Sequence, residues 1–498
     1  MTRIYIIGII IWLTTSCSGF LKEYSRDLDY VHSYTDLDEL LLGGAYLSMS
    51  GYTPYIHLMS DEVQENIEYA YSDEYTTPRD EYFGYYTWQK RIDLGFDNLV
   101  KISTEDGDWK RLYEHINVAN MIIQGVSEQK AETDLDRQEI DRIKGEAYFL
   151  RGSYYFWLVN LYGKPYTKTS AKTDLGVPLK TTEYIEDKKF ERNTVQEVYD
   201  LVLQDLDEAE KNLENASQKS IFRANITATY LLKSRVYLYM RNWEKAKYYA
   251  QKVLEKNDQL VDLNSFDASS GEFFMNPKSV EIIFSTGDCW IAGNTSMRTR
   301  GMSASRDLID QYKKDENDLR LNIFLNTDYP PYFPCGKYRT YDAEISDVCV
   351  YRTAEAYLNL AEACAYLDDD EGACKALNDL RKKRIRSVKE IHFSGKELVE
   401  EIRNERYREL AFEGHRWYDL RRYSVCDRYP LEKVLRNTYT IYDESAWWST
   451  PEQTFVYELK PNDPAYTLPI PKEVLKFDEL IKDNPRTDRG VAETINYN

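Results

Sequence analysis

Apolar residues recur at helical spacing in four long stretches of the chain, and each stretch divides into two or more segments. A repeat near 3.6 residues places these apolar side chains on one face of a helix. The pattern predicts helix pairs near 108–162, 194–255, 350–386 and 396–423. We therefore expect a mostly α-helical fold.

Two of the predicted pairs repeat one another at an offset of 127 residues. The segment "RVYLYMRNWEKAKYYAQKVL" (235–254) aligns with "EACAYLDDDEGACKALNDLR" (362–381), and Tyr239 matches Tyr366. An aromatic residue before the turn, small residues where helices cross and a second amphipathic helix are typical of tetratricopeptide-like hairpins. Because the spacing between pairs is irregular, the sequence predicts embedded helix pairs rather than a uniform solenoid.

Three segments between the helix pairs have a different composition. Residues 51–107, 256–349 and 424–480 are rich in Tyr, Trp, Pro, Gly, Asn and Asp, with no sustained helical period. Long irregular segments beside a rigid frame are where binding surfaces are usually built. The expected architecture is a single mature domain, 17–498, in which helix pairs cradle a large irregular, loop-rich region.

The stretch "FEGHRWYDLRRY" (412–423) concentrates charged residues and raises the question of catalysis. It continues a pattern from Lys396 and predicts one long helix. At about 100° per residue, Glu413 and His415 lie about 200° apart and cannot converge on one substrate. Glu413 is expected to form a partly buried ion pair that fixes helix register, and His415 can pair with Asp419 on its own face. The stretch is therefore interpreted as structural.

The N-terminus "MTRIYIIGIIIWLTTSCSGF" predicts export from the cell. Its apolar run is too short to span a bilayer, so residues 1–16 are interpreted as a signal peptide outside the fold. The small residues that end at Cys17 resemble a bacterial lipoprotein processing site, in which Cys17 becomes lipidated and anchors the chain to the membrane. Leu13 lies four residues before Cys17, where that motif has it three before, so an ordinary signal peptide stays an alternative.

Charge and cysteine usage narrow the range of ligands. With 84 acidic and 64 basic residues the net charge is -20, which repels phosphate backbones and argues against nucleic acid as a partner. The seven Cys form no CxxC and the five His are scattered, so we expect no cofactor or zinc site. The acidic run "LDDDEG" lacks the alternating spacing of calcium ligands. A disulfide among Cys289, Cys335 and Cys349 stays open.

Several longer motifs, taken in order, resemble the SusD/RagB outer-membrane lipoproteins of Bacteroidetes. They are "DLDELLLGGAYLS", "GEAYFLRGSYYFWLVNLYGKPY", "YRTAEAYLNLAEACA", "RNERYRELAFEGHRWYDLRRY" and "YTLPIPKEVLKFD" followed by "DNPR". The resemblance implies four tetratricopeptide-like helix pairs around an irregular region. It also implies a non-catalytic protein at the cell surface that captures glycan, or in some members peptide, for a SusC-like TonB-dependent transporter.

The irregular segments supply the side chains that glycan binding needs. An aromatic ring can cover the C–H face of a sugar and remove about 50 Å² of apolar surface, worth about 1.2 kcal/mol at ~25 cal/mol/Å². Polar side chains then bond the hydroxyls. From segment texture and the family's general placement of its site, the candidate residues are Tyr85, Tyr86, Trp88, Trp290, Asn294 and Arg298, with Arg79, Tyr82 and Tyr332 as weaker choices. Packing against the frame is the alternative for each aromatic.

Three other functions stay open at this point. The first is a peptide-binding member of the same family, and the second is a helical-repeat adaptor that binds a protein through its helix grooves. The third is a surface glycosidase, which needs two carboxylates at a working separation. The chain contains no GxSxG, HExxH or P-loop motif, so we expect no enzymatic activity.

Overall fold

The computed structural model describes most of the chain after the predicted signal peptide. The described residues are 33–46, 55–67, 78–103, 105, 107–295, 301–328, 330–341, 343–443 and 450–497. The predicted lipidation site Cys17 and the candidate ligand residue Arg298 lie outside them. In the part of the chain that is described, none of the helices combines the length and the apolar character needed to cross a membrane.

Helices form the frame of the molecule, so the predicted mostly α-helical fold is confirmed. In chain order they are α1 (Tyr34–Leu40), α2 (Tyr55–Met59), α3 (Pro78–Glu81), α4 (Phe83–Tyr86), α5 (Gly107–Ser127), α6 (Asp134–Tyr162), α7 (Val195–Leu213), α8 (Ile226–Tyr239), α9 (Trp243–Lys256), α10 (Ile291–Asn294), α11 (Arg306–Lys313), α12 (Arg320–Phe324), α13 (Thr353–Tyr366), α14 (Asp370–Arg381), α15 (Gly395–Glu409), α16 (Arg416–Ser424) and α17 (Lys472–Phe477). A π-helical turn, Leu41–Ala45, extends α1.

The 127-residue repeat reappears in backbone detail at the turns that join α8 to α9 and α13 to α14. Arg241 and Asp368, which the offset pairs, have φ angles of 56° and 58°. The next residues, Asn242 and Asp369, cap α9 and α14 with their side chains. At both turns a residue with a left-handed backbone conformation is therefore followed by a residue whose side chain caps the next helix.

The helix pair predicted near 396–423 is confirmed, whereas the interpretation of that stretch as one long helix is wrong. The chain breaks between α15 and α16, where Phe412 and Gly414 have φ angles of 62° and 72°. A Cβ on Gly414 would lie 3.1 Å from Ile56 Cδ1 and from Val348 Cα, so the tight turn there favours glycine. The residue pattern did not mark the break, because 396–423 contains no proline and α16 is buried on nearly all of its faces.

Short strands lie mainly in the segments predicted to be irregular. They are β1 (Val63–Glu65), β2 (Ile282–Ser285), β3 (Met302–Ala304), β4 (Val350–Arg352), β5 (Leu435–Asp443), β6 (Thr450–Leu459) and β7 (Glu493–Asn496). β1 pairs with β3, β2 with β4, and β5, β6 and β7 form a three-stranded antiparallel sheet. The β5–β6 hairpin corrects the irregular assignment of 424–480.

The buried side chains divide into a frame and an insert. One hydrophobic cluster lies between α5, α6, α7 and α8, and another lies between α13, α14 and α15. A third is built largely from the segments between helix pairs, including Val63, Ile291, Leu308 and Phe324. The inserts thus have a core of their own, which holds the loops around α10 in place.

Candidate functional site

The charged stretch 412–423 belongs to a buried ion-pair network that begins in α15. Glu409 accepts hydrogen bonds from Arg352 (2.7 Å), Arg320 (3.0 Å) and Arg384 (3.0 Å), and these four side chains are fully buried. Burial alone raises the pKa of Glu409, but the three guanidinium groups outweigh it and hold that pKa well below its usual value. Glu409 therefore carries a paired charge inside the frame.

Glu413 continues this network rather than forming an active site. Its carboxylate accepts from Arg352 Nε at 2.7 Å and also pairs with Lys337, and both partners are buried. The expected ion pair of Glu413 forms, but it is fully rather than partly buried, and its partners Arg352 and Lys337 come from other segments rather than from the same helix. Because the carboxylate is satisfied on both sides, it is not presented to a substrate.

The rest of the stretch is also internally paired. Arg416 binds the Asp61 carboxylate through Nε (2.6 Å) and Nη2 (2.8 Å). Asp419 accepts from Arg406 (2.7 Å) and Arg422 (2.8 Å), so the expected pairing with His415 is wrong.

Near these pairs, burial, followed by the charges of Arg235 and Arg406, lowers the pKa of His415 well below its usual value. A neutral imidazole sits stably beside these cations, whereas an imidazolium would not.

Three of the predicted ligand residues are packed inside the protein. Trp88 has no exposed surface, and its indole N–H donates to Met59 O at 2.9 Å. Tyr86 is also fully buried, and Tyr85 stacks on Tyr55 with ring centroids 3.9 Å apart. Trp88 and Tyr86 therefore offer no face to a sugar, because the frame and inserts already cover both rings.

Tyr82, Trp290 and Asn294 come together at the edge of the insert core. The Tyr82 and Trp290 rings meet edge to face with centroids 6.2 Å apart, and both side chains are half-buried. Asn294 Nδ2 donates to Trp290 O at 2.7 Å, which closes the single turn of α10. This aromatic pair is the part of the predicted site that the structure assembles.

A buried carboxylate positions Trp290. Asp347 Oδ2 accepts from the backbone N–H of Trp290 (3.0 Å) and of Ile291 (2.7 Å). His57 Nε2 lies 3.5 Å from the same oxygen, and its Nδ1 lies 3.3 Å from Glu62. Burial lowers the pKa of His57, but the adjacent carboxylates of Asp347 and Glu62 outweigh it and raise the pKa to about 9. A protonated His57 therefore stabilises the Asp347 carboxylate, which in turn holds the backbone of Trp290 and Ile291.

Arg79 and Tyr332 lie apart from this pair, near the β5 strand. Arg79 Nη1 donates to Glu65 (2.5 Å) and to Thr440 O (2.8 Å), and its guanidinium covers the Tyr439 ring at 4.5 Å. Tyr332 is 5% exposed. The Arg79 guanidinium is thus occupied by internal contacts, and the Tyr332 side chain is buried.

One exposed aromatic beside α10 was missed. A Cβ on Gly293 would lie 3.7 Å from Thr340 O, so the 339–341 segment runs against α10, and the next residue, Tyr341, is 78% exposed. The run "KYRTYD" (337–342) lies in the predicted irregular segment 256–349, so its two tyrosines could have been candidates on the same grounds as Trp290. We call Tyr82, Trp290 and Tyr341 the aromatic rim.

The three cysteines considered for a disulfide stay as thiols, and a large cleft with charged walls lies in another part of the fold. Cys289, Cys335 and Cys349 are free, so the disulfide considered among them does not form in this structure. A cleft of about 830 Å³ lies between α11 and the segment after α14, lined by Lys313, Asp315 and other residues of both signs. Its mixed charge gives it no clear preference for a ligand.

Comparisons with known proteins agree with the fold and with the motifs. A family model described as "SusD family" matches residues 291–486, and a second, "Starch-binding associating with outer membrane", matches residues 54–238. SusD-like protein P25 of Formosa agariphila is 22% identical over 97% of this chain and 98% of its own length.

Solved structures share the architecture. A SusD superfamily protein from Bacteroides thetaiotaomicron superposes with a TM-score of 0.68 and 23% identity, covering 91% of this chain and 100% of that one. A SusD-like carbohydrate binding protein from Bacteroides vulgatus gives a TM-score of 0.66 and 20% identity, with 91% and 98% covered. With family models matching in both halves and the same fold throughout, the chain belongs to the SusD/RagB family.

Proposed function

We propose that this protein is a non-catalytic, cell-surface glycan-binding lipoprotein that captures oligosaccharide or polysaccharide and delivers it to a SusC-like TonB-dependent transporter. The relatives support the ligand class, since one family model is described as starch-binding and one structural neighbour as carbohydrate binding. The observation that carries the proposal is the edge-to-face contact of half-buried Tyr82 and Trp290, together with exposed Tyr341, which follows the Thr340 carbonyl that lies against α10.

The rim has the chemistry that a sugar requires. Each ring offers an apolar face for C–H groups, while the tyrosine hydroxyls and the nearby Asn294 amide offer polar contacts. Two or three rings with a few hydrogen bonds supply about 4–7 kcal/mol, which corresponds to millimolar to tens of micromolar dissociation constants. That affinity suits capture followed by release.

The absence of catalysis is supported by the state of the charged stretch. Glu413, Arg416 and Asp419 each have buried partners of opposite charge. Charges that are satisfied internally hold helices in register and leave no free acid or base at that position. Incubation with oligosaccharides should therefore release no new reducing ends, and release that persists in a Trp290→Ala variant would overturn this part of the proposal.

Binding can be tested by calorimetry against a panel of soluble glycans. For the best ligand, Trp290→Ala and Tyr82→Ala should each weaken binding about 5- to 30-fold, the loss expected when one ring of apolar contact is removed. Tyr248→Ala is the matched control, because Tyr248 is 50% exposed but lies on the frame helix α9. Equal losses in all three variants, or no binding to any glycan, would contradict the proposal.

Anchoring and partner are tested separately. Radiolabelled palmitate should label the protein in cells, and Cys17→Ala should abolish the label and release the chain from the outer membrane. Co-purification of a large TonB-dependent transporter from solubilised membranes is the expected result for the partner. A chain that binds glycan but is found unacylated and alone would retain the binding role and lose the delivery role.

A further inference from the structure

A chain of buried polar contacts joins the helical frame to the backbone of Trp290. Glu62 Oε1 accepts from the backbone N–H of Phe412 at 2.9 Å, and Glu62 Oε2 lies 3.3 Å from His57 Nδ1. His57 Nε2 lies 3.5 Å from Asp347 Oδ2, which accepts from the backbone N–H of Trp290 at 3.0 Å. The His57 cluster, defined as His57, Glu62 and Asp347, therefore connects the turn between α15 and α16 with the aromatic rim.

The His57 cluster holds two carboxylates in the protein interior. All three of its side chains are buried, so the negative charges of Glu62 and Asp347 need compensation within the protein. A protonated imidazole carries one positive charge and an N–H on each ring nitrogen, whereas a neutral imidazole has a single N–H. Loss of the His57 proton therefore removes both the charge and the donor for one of the two carboxylates.

The other titratable side chains around α2 have partners elsewhere or are neutral. α2 packs against β1, α4 and α16, and Ile56 also reaches the turn at Gly414. The charged groups on these elements are paired as follows: Asp61 with Arg416 and Lys433, Glu65 with Arg79, Glu413 with Arg352 and Lys337, Asp419 with Arg406 and Arg422, and Arg421 with Gly163 O. Burial raises the pKa of Tyr55, Tyr85, Tyr86, Tyr418 and Tyr423 and lowers the pKa of His415, so these six side chains stay neutral where His57 titrates.

The short helix α10, which follows Trp290, depends on contacts at both of its ends. At its start, Asp347 Oδ2 accepts from the backbone N–H groups of Trp290 and Ile291. At its end, Thr295 Oγ1 donates to Ile291 O (2.9 Å) and accepts from the backbone N–H of Cys335 (2.9 Å). A single helical turn has too few internal bonds to be stable alone. Loss of the Asp347 contacts should therefore release Trp290 while Thr295 keeps α10 attached.

We propose that the proton on His57 controls how tightly the aromatic rim binds glycan. While His57 is protonated, Asp347 faces a cation and holds the Trp290 backbone in one position. When His57 loses its proton, Asp347 loses that cation, and Trp290 samples positions that do not complete the rim. His57 and Asp347 are positioning residues, because both are buried and act through Trp290. This inference rests on the proposed glycan-binding function and adds its regulation by pH.

The first test is the pH dependence of glycan affinity in the wild type, measured by calorimetry. The pKa of His57 is about 9, so the affinity should be constant near neutral pH and fall as the pH passes 9. We expect about a 5- to 10-fold loss by about pH 10, because only a fraction of the molecules then present a binding-competent rim. The fitted stoichiometry should not change, since unfolding would lower the number of sites rather than their affinity. Constant affinity across this range would overturn the proposal.

Substitutions then show which group titrates. His57→Gln should have, already at neutral pH, the weakened affinity of the wild type at high pH, with no further pH dependence. His392→Gln is the matched control, because His392 is exposed, and it should behave like the wild type. A pH dependence that persists in His57→Gln would assign the titration to another group, such as a rim tyrosine, and would overturn the proposal.

A pair of substitutions at Asp347 separates its position from its charge. Asp347→Asn keeps an oxygen that accepts from the Trp290 N–H but carries no charge, so it should bind within about twofold of the wild type and without pH dependence. Asp347→Ala removes the acceptor and should weaken binding about 5- to 10-fold at every pH. If Asp347→Asn kept the pH dependence of the wild type, the link from His57 to Trp290 would be wrong.

A measurement without ligand separates this inference from the proposed function. The protein is labelled with 5-fluorotryptophan, and the fluorine NMR signal of Trp290 is identified by its absence in Trp290→Phe. This signal should shift with a midpoint near pH 9 in the wild type and stay constant in Asp347→Asn. A shift in a protein that binds no glycan would contradict the proposed function alone. A Trp290 signal that does not respond to pH would overturn the inference itself.

Discussion

The ion-paired frame around α15 and α16 and the aromatic rim around α10 are built on opposite principles. In the frame, Arg320, Arg352 and Glu409 are fully buried, and each is matched by opposite charge. At the rim, Tyr341 is 78% exposed and the Tyr82 and Trp290 rings are partly open to solvent. The stretch of sequence that most resembles an active site thus belongs to a region whose charged side chains are already paired inside the protein.

The difference lies in whether hydrogen-bonding and apolar surfaces are already satisfied within the chain. A buried charge with several partners contributes to register and has nothing left to offer a ligand. A half-covered ring retains apolar surface that a ligand can bury. The two regions therefore respond differently to substitution, and four experiments, from the largest expected effect to the smallest, can test this contrast.

Removal of one charge from the frame should have the largest effect. Glu409→Gln leaves Arg320, Arg352 and Arg384 without their shared carboxylate, so the free energy of unfolding should fall by about 3–5 kcal/mol. Urea unfolding measures the change. Glu400→Gln removes an exposed charge from the same helix and should cost less than about 0.5 kcal/mol. Similar losses in both variants would contradict the buried-network interpretation.

Deprotonation of His57 should lower the free energy of unfolding as the pH rises into the alkaline range. The pKa of His57 is raised from 6.5 to about 9, so the folded state favours the protonated form. This contribution is complete below about pH 6.5 and is lost as pH rises through 9, a decrease of roughly 3 kcal/mol. Unfolding measured between pH 6 and 10 should show this slope. It should flatten in His57→Gln and persist in His392→Gln, where the histidine is exposed.

Substitutions of Trp88 and Trp290, both predicted to bind ligand, should have different effects on stability and on glycan affinity. Trp88→Phe loses the indole bond to Met59 O and leaves that buried carbonyl unpaired, so stability should fall by about 1–3 kcal/mol with little change in glycan affinity. Trp290→Phe keeps an apolar ring at the rim and should change stability by less. If Trp88→Phe weakened glycan binding more than Trp290→Phe, the assignment of rim and core would be reversed.

The smallest effect is expected at a turn of the frame. Asp368 holds a left-handed conformation that glycine adopts without strain, and its ion pair with Arg428 (2.9 Å) is exposed and contributes little, so Asp368→Gly should raise the free energy of unfolding by about 0.5 kcal/mol. Its repeat partner Arg241 has the same backbone conformation, but it donates to Tyr166 O and Val425 O. Arg241→Gly should therefore destabilise the protein, and stabilisation by both variants would show that these contacts contribute little.

Local periodicity was enough to predict most of the frame. The helix pairs and the repeat at 127 residues follow from spacing along one helix face, which is a property of neighbouring residues. The same reasoning failed at Gly414, where the apolar pattern continues across a turn that only the backbone conformation reveals. It also overlooked the β5–β6 hairpin, whose alternation is interrupted by polar residues on both faces.

The sequence alone determined the family motifs, the charge balance and the texture of the inserts, because these are properties of composition and order. Only the tertiary structure decided that Trp88 is buried while Trp290 is half-buried, and that exposed Tyr341 follows a segment that lies against α10. Exposure and pairing depend on segments far apart in the chain. A Trp in an irregular segment becomes core or surface according to what a distant loop places over it.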